Sequence, residues 1–142
     1  MKLSDADSFS WIELPAFREN LPRFSQFIQK SAKTEGFSEA VVQKIDLILE
    51  EVLVNIINYA YPDQPEGLIQ AGCKTENNSF IIKIIDHGLP FDPSARPDPD
   101  TSLSIEDRQI GGLGIFLVRQ LSHDVSYQRI KDQNHLEIVL KE

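Results

Sequence analysis

Hydrophobic residues recur every three or four positions in two long stretches of this chain, and this spacing predicts two amphipathic helices. The first helix is expected over about 16–33 and the second over about 39–60. The second should end before Tyr61-Pro62, because proline disfavours helical geometry in the residue that precedes it. Its apolar stripe is the longer one, so its buried face should form much of the core. A third, shorter helix is expected over 113–121.

Short runs of β-branched and aromatic residues predict five strands. These lie near 8–13, 67–74, 79–85, 124–130 and 135–141. Because four of the strands follow one another in consecutive pairs, the sheet should be mostly antiparallel, with the helices on one face. We therefore expect an α+β fold, a two-layer α/β sandwich, built as one domain over 1–142.

A long polar segment, 87–111, separates the third strand from the third helix. It contains four prolines and little apolar content before Ile110. A segment of this length without regular structure inside a compact domain is usually functional or mobile. We therefore expect it to serve the function of the protein rather than its core.

The composition narrows the classes of function. With 22 acidic and 14 basic side chains the net charge is −8, which argues against nonspecific nucleic-acid binding, since that needs lysine and arginine to neutralise phosphates. Cys73 is the only cysteine, so we expect a buried spectator thiol, with neither an intramolecular disulfide nor a cysteine metal cluster. The first residues lack the apolar core of a signal peptide, and no apolar run approaches the roughly 20 residues that span a bilayer. We predict a cytoplasmic location and no membrane partner.

Three polar residues on the second helix are candidates for chemistry. Glu51, Asn55 and Asn58 are spaced by four and three, so they share one helix face beside the apolar stripe. An amide there can present its oxygen to a metal, and a carboxylate can accept a proton. The alternative is an ordinary polar helix edge. Glu50 falls on a different face and is assigned to solvent.

Two glycine patterns follow further along the chain. Asp86 closes a strand, where its carboxylate could accept a hydrogen bond from an exocyclic amine such as that of adenine, and Gly88 would let the backbone approach the ring. A simple turn is the alternative, and His87 is assigned to it without a catalytic role.

The second pattern, Gly111-Gly112-Leu113-Gly114, opens the third helix, where free amides attract phosphate. The alternative is a flexible hinge. The spacing matches neither a Walker loop nor the dinucleotide fingerprint.

In this order, these parts resemble the ATPase superfamily shared by gyrase, the large heat-shock chaperone, sensor histidine kinases and the mismatch-repair ATPases. Within it, the chain resembles the small bacterial anti-sigma-factor serine kinases. The resemblance covers nearly the whole chain, and its best-matched pieces are 51–61, 86–93 and 111–118.

The resemblance implies an ATP site with a magnesium ion. Asn55 would coordinate the magnesium, with Asn58 beside it on the same helix face, and Glu51 would be the general base that takes the proton from a serine of a partner protein. Asp86 would recognise the adenine amine, and Gly88 would shape that pocket.

The phosphate end of the site follows from the same resemblance. Gly112, Leu113 and Gly114 would bring backbone amides to the phosphates, and residues 92–111 would form a lid. Such kinases dimerise, hold a sigma factor inactive and phosphorylate an antagonist protein on serine. We therefore expect a homodimer with a sigma factor and an antagonist as partners, and no direct nucleic-acid contact. Two alternatives remain: a catalytically silent, nucleotide-gated binding switch, and an interaction domain without nucleotide.

Some positions depart from the family pattern. Tyr59 stands where many relatives have histidine, and Gln133-Asn134 replaces a Gly-Thr pair before the last strand. Hydrogen bonding on the adenine side is therefore expected to differ. Arg108 falls in the lid, near where some relatives place a phosphate-facing arginine.

Overall fold

In the part of the chain that the structure describes, five strands form one sheet on which three helices are arranged. The strands are β1 (Ser10–Pro15), β2 (Leu68–Glu76), β3 (Ser79–Asp86), β4 (Asp124–Ile130) and β5 (Gln133–Lys141). The computed structural model describes residues 8–62, 64, 67–92 and 112–142, apart from the side chains of 112–115. Within them the strand order is β1-β2-β3-β5-β4, and every neighbouring pair is antiparallel.

The helices are α1 (Leu21–Thr34), α2 (Glu39–Asn55) and α3 (Gly112–Leu121). Gly36 ends the first of these segments with a φ of +89°, a conformation that glycine adopts without a Cβ penalty. Ser38 then begins α2, and its side chain accepts a hydrogen bond from the Val41 N–H. The order of elements is the one that the hydrophobic pattern predicts.

The helices and the sheet share one core. Along β5 every second residue is buried, and the buried positions are Asn134, Leu136, Ile138 and Leu140. The apolar members of this row pack with the buried stripes of α1 and α2. This is the predicted α+β architecture, and it places one polar side chain, that of Asn134, in line with the core residues.

The start of the chain differs from its prediction. β1 runs through Pro15, which a sheet tolerates because β1 is an edge strand and pairs only with β2. A 3₁₀ turn at Arg18–Asn20 follows, so α1 begins at Leu21 rather than near residue 16. Proline at the next position suits a first helical turn, where its missing N–H would have no partner.

The end of the second helix also differs in kind. It is α-helical to Asn55 and then continues as a single π-helical turn, Ile56–Ala60, in which the Tyr61 N–H donates to the Ile56 carbonyl at 3.1 Å. Such wide turns interrupt the ordinary helical spacing and are frequent at functional sites. Residues beyond Asn55 therefore leave the helix face that α-helical spacing predicts for them.

Cys73 lies on the inner face of β2 and is buried, as predicted. Burial raises the pKa of its thiol, which keeps it protonated and poorly nucleophilic. None of the helices among the described residues is both long and apolar enough to cross a membrane.

Candidate nucleotide site

The π-helical turn that follows α2 and the turn after β3 contact each other directly. The Leu89 N–H donates to the Ala60 carbonyl at 2.8 Å. Gly88 packs so closely that a Cβ built on it would lie 2.2 Å from the same carbonyl oxygen. The two candidate regions therefore form one continuous surface, and glycine is required at this contact for steric reasons.

Glu51 lies half-buried on α2 without a partner for its carboxylate among the described residues. Burial raises the pKa of this carboxyl above its usual value, and the negative charge of the exposed Glu50 raises it further. A carboxylate with a raised pKa is a better proton acceptor near neutral pH. The position is thus chemically suited to a general base.

Asn55 lies one helical turn after Glu51 and is 2% exposed. Its Nδ2 donates to the Glu51 backbone carbonyl at 2.7 Å. A carbonyl oxygen can only accept, so the amide orientation is determined and Oδ1 is the free atom. Oδ1 has no hydrogen-bond partner among the described residues, and Mg²⁺ prefers oxygen ligands of this kind. The residue is therefore compatible with the role of magnesium ligand that the family resemblance implies.

The acidic and histidine side chains offer no alternative metal site there. Among the described residues, no group of three or more His, Cys, Asp and Glu side chains is placed to hold a metal ion. Mg²⁺ commonly takes only one or two protein ligands and completes its shell with water and substrate phosphates. A single buried amide oxygen is compatible with that chemistry.

Asp86 is the buried acid of the site, with 2% of its surface exposed. Its Oδ1 accepts from the Gly88 N–H and from Asn134 Nδ2, both at 2.8 Å. Burial raises the pKa of Asp86, while these hydrogen bonds and the charge of Arg129 act in the opposite direction. Oδ2 has no hydrogen-bond partner among the described residues. A buried carboxylate with one unused oxygen can accept a hydrogen bond from a ligand amine.

Tyr61 holds the Asp86 turn in place, a role that the sequence interpretation missed. The buried ring directs its hydroxyl between two backbone groups: it donates to the Leu68 carbonyl and accepts from the His87 N–H, each at 2.7 Å. The tyrosine follows the π-helical turn directly, so it connects α2, β2 and the end of β3. The sequence pattern by itself indicates only that this tyrosine stands at the end of the helix.

We predict that Tyr61→Phe destabilises the fold by about 1–3 kcal/mol, because it leaves a buried backbone N–H and carbonyl without their partner. The free energy of unfolding in urea measures this loss. An unchanged value would show that the hydroxyl does not support the turn.

Asn58 and Tyr59, on the π-helical turn, are placed differently from Glu51 and Asn55. Asn58 is exposed on the π-helical turn, whereas Glu51 is half-buried and Asn55 is buried. Tyr59 stacks on Phe91, with ring centroids 5.1 Å apart and planes at 18°. The aromatic residue that replaces histidine in this chain thus connects the end of α2 with the segment that follows Asp86.

The phosphate end is described only in part. Gly112, Leu113 and Gly114 form the first turn of α3, and this helix packs against α2. Gly111, Arg108 and the predicted lid, apart from Asp92, lie outside the described residues. Their roles stay predictions.

Comparison with known proteins places the chain in a class of ATPases. A family model described as the histidine kinase-like ATPase domain matches residues 14–140. The chain belongs to this family, as its resemblance predicted.

Two relatives are serine kinases by name. The serine/threonine-protein kinase BtrW of Bordetella bronchiseptica is 31% identical over 112 residues, which are 79% of each chain. The serine-protein kinase RsbW of Listeria monocytogenes is 25% identical over 118 residues, covering 80% of this chain and 75% of that one. These relatives confirm the predicted enzyme class, an ATP-dependent protein serine kinase.

A solved structure supports the fold independently. The RsbU and RsbW domains of Rv1364c from Mycobacterium tuberculosis align with 94% of this chain at a TM-score of 0.66 and 12% sequence identity. This chain spans about a third of that longer one, 32% of its length. The predicted fold class is confirmed, and at this identity the likeness concerns the fold alone.

Proposed function

We propose that the protein uses Mg²⁺ and ATP to phosphorylate a serine of an antagonist protein, and that it also sequesters a sigma factor. The observation that carries the proposal is the pairing of two buried groups, Asn55 and Asp86, on elements joined by the contact between Ala60 and Gly88. Each of the two groups has one oxygen without a hydrogen-bond partner among the described residues. The Asn55 amide oxygen suits a metal ion, and the Asp86 carboxylate suits the amine of a nucleobase. A magnesium nucleotide carries both.

At the adenine end, Oδ2 of Asp86 accepts a hydrogen bond from the exocyclic amine. Gly88 shapes the pocket indirectly, because any larger residue at this position would displace the Ala60 carbonyl. The buried position excludes water, so a hydrogen bond to this carboxylate discriminates strongly between bases that donate and bases that do not.

At the phosphate end, Asn55 would hold the metal through Oδ1, and we assign Asn58, Gly112, Leu113 and Gly114 to the nucleotide-binding residues. The metal, when bound, neutralises charge on the phosphates. The first turn of α3 offers backbone N–H groups, which favour anions. Residues 92–111 would cover the nucleotide as a lid.

Glu51 acts on the protein substrate. The serine Oγ attacks the γ-phosphorus, a new O–P bond forms, and the bond to the β,γ-bridging oxygen breaks to release ADP. Glu51 takes the hydroxyl proton. Its raised pKa, and the absence of a carboxylate partner among the described residues, support this role over that of Glu50, which faces solvent.

The partners follow from the family and not from a surface seen here. The relatives named RsbW and BtrW are serine kinases, and the resemblance to anti-sigma-factor kinases suggests a sigma factor, an antagonist protein and a homodimer. We propose a cytoplasmic setting and a single domain over 1–142 on the same grounds.

Incubation with γ-labelled ATP, Mg²⁺ and the cognate antagonist tests the proposal, and we expect label on a serine of the antagonist. Thermal unfolding with Mg²⁺ and ATP serves as the binding control, since a ligand at about 100 times its dissociation constant adds roughly 2.7 kcal/mol of stability. Stabilisation without phosphorylation would favour a silent, nucleotide-gated switch. No stabilisation would favour an interaction domain without nucleotide.

A pH profile tests the assignment of the base. Because the pKa of Glu51 is raised, activity should fall as the pH falls through that value and the carboxyl becomes protonated. Glu50→Gln removes the neighbouring charge, so it should lower this pKa and move the acid limb of kcat to lower pH.

Glu39→Gln is the matched control, because it removes one charge from the other end of α2 and should leave the limb in place. An acid limb that does not move in Glu50→Gln would contradict Glu51 as the titrating group.

A further inference from the structure

Asn134, on the inner face of β5, is the most densely hydrogen-bonded side chain around Asp86. It is 3% exposed. Its Nδ2 donates to Asp86 Oδ1 and to the Leu89 carbonyl, both at 2.8 Å. Both partners are acceptors only, so the amide nitrogen must face them.

The oxygen of the same amide is held equally firmly. Asn134 Oδ1 accepts from the Phe91 N–H at 3.3 Å, from Arg129 Nη1 at 3.1 Å and from the Tyr127 hydroxyl at 2.5 Å. The backbone N–H and the guanidinium can only donate. Reversing the amide would break contacts on both sides at once, so the side chain has a single orientation.

This orientation determines which oxygen of Asp86 remains available. Oδ1 is occupied by Asn134 and by the Gly88 N–H. A partial rotation of the carboxylate would cost the buried amide its acceptor, whereas a half-turn only exchanges two equivalent oxygens. Oδ2 is left as the acceptor for a ligand. Arg129 supports the arrangement from β4, since its Nη1 also donates to the Gly88 carbonyl at 2.9 Å.

We propose that Asn134 is a positioning residue for base recognition: it locks Asp86 so that Oδ2 meets the exocyclic amine, and it thereby sets the preference for a 6-aminopurine nucleotide. This inference rests on the assignment of Asp86 under the proposed function. A guanine base would present a carbonyl oxygen at the same place, and two acceptors facing each other repel. Asn134 therefore acts on specificity through Asp86 without touching the phosphates.

Replacing Asn134 should affect only the recognition of the 6-amino group. This distinguishes a positioning role from a general contribution to the stability of the fold. Dissociation constants are measured by calorimetry for ATP and for purine riboside triphosphate, which lacks the 6-amino group. The wild-type protein should bind ATP at least about tenfold more tightly, as expected for a hydrogen bond to a charged group. In Asn134→Ala this preference should fall to about twofold or less, with affinity for the des-amino nucleotide nearly unchanged.

Gln133→Ala is the matched control. Its side chain contacts His87 and His135 instead of Asp86, so the tenfold preference should persist. If Asn134→Ala does not fold, as judged by urea unfolding, Asn134→Thr replaces it. A hydroxyl can still donate to Asp86 and threonine suits a strand, so this variant should keep most of the preference.

The outcomes distinguish the positioning role of Asn134 from the proposed kinase function. Equal weakening of both nucleotides in Asn134→Ala, or a preference retained there, overturns the positioning role while leaving the kinase proposal intact. Loss of the preference in Asn134→Thr also overturns it. A wild-type protein that binds neither nucleotide contradicts the proposed function itself.

Discussion

Replacing Glu51 with glutamine should slow phosphoryl transfer to the antagonist by about 100-fold to 10,000-fold, the usual range for loss of a general base. Glutamine keeps the size of the side chain but cannot take the serine proton. The affinity for ATP should stay within about twofold of wild type, because the carboxylate of Glu51 contacts none of the described groups that we propose to bind the nucleotide. Single-turnover phosphorylation and calorimetric binding measure the two quantities separately.

Glu50→Gln is the control for this variant. It removes a carboxylate from the neighbouring position, and at a pH above the acid limb it should phosphorylate at the wild-type rate. A Glu51→Gln protein that phosphorylates within about threefold of wild type would exclude this residue as the base.

Gly88→Ala should damage both the fold and nucleotide binding. The added Cβ would lie 2.2 Å from the Ala60 carbonyl oxygen and 2.6 Å from its carbon, and these backbone atoms cannot move without shifting the end of α2. Overpacking of this kind costs about 1–3 kcal/mol, and more when backbone must move. Because Asp86 lies two residues earlier, we also expect ATP affinity to fall by at least about tenfold. Urea unfolding and calorimetry measure the two losses.

Leu89→Ala provides the comparison within the same turn. The Leu89 side chain is 51% exposed, so its removal should change neither stability nor ATP affinity appreciably. If Gly88→Ala is as stable as Leu89→Ala and binds ATP like wild type, the close contact between the turn and α2 does not shape the site.

The pattern of hydrophobic positions predicts most of this fold because its elements are regular. The alternation along β5 and the long apolar stripe of α2 both follow directly from the periods of strand and helix. Local geometry that breaks a period is harder to predict. The π-helical turn after Asn55 moves Asn58 into solvent, and Pro15 extends an edge strand that its type would ordinarily end.

The residues of the candidate site also differ in how well the sequence predicts them. Glu51 and Asp86 stand out in the sequence through their spacing and family resemblance. Tyr61 does not stand out, because its structural role depends on hydrogen bonds to two backbone partners, Leu68 and His87, that only the fold brings together. Asn134 carried a usable signal: it is the one polar residue among the buried positions of an otherwise apolar alternating row in β5. A polar group at such a position must have partners, and these surround the acid predicted to read the base.

A crystal structure with Mg²⁺ and a non-hydrolysable ATP analogue tests the central claim most directly, namely that the ends of α2 and β3 form one nucleotide pocket. We expect the adenine amine within hydrogen-bond distance of Asp86 Oδ2, the metal on Asn55 Oδ1, and the γ-phosphate on the side of Glu51. A nucleotide bound elsewhere, or a base that does not contact Asp86, would contradict the claim.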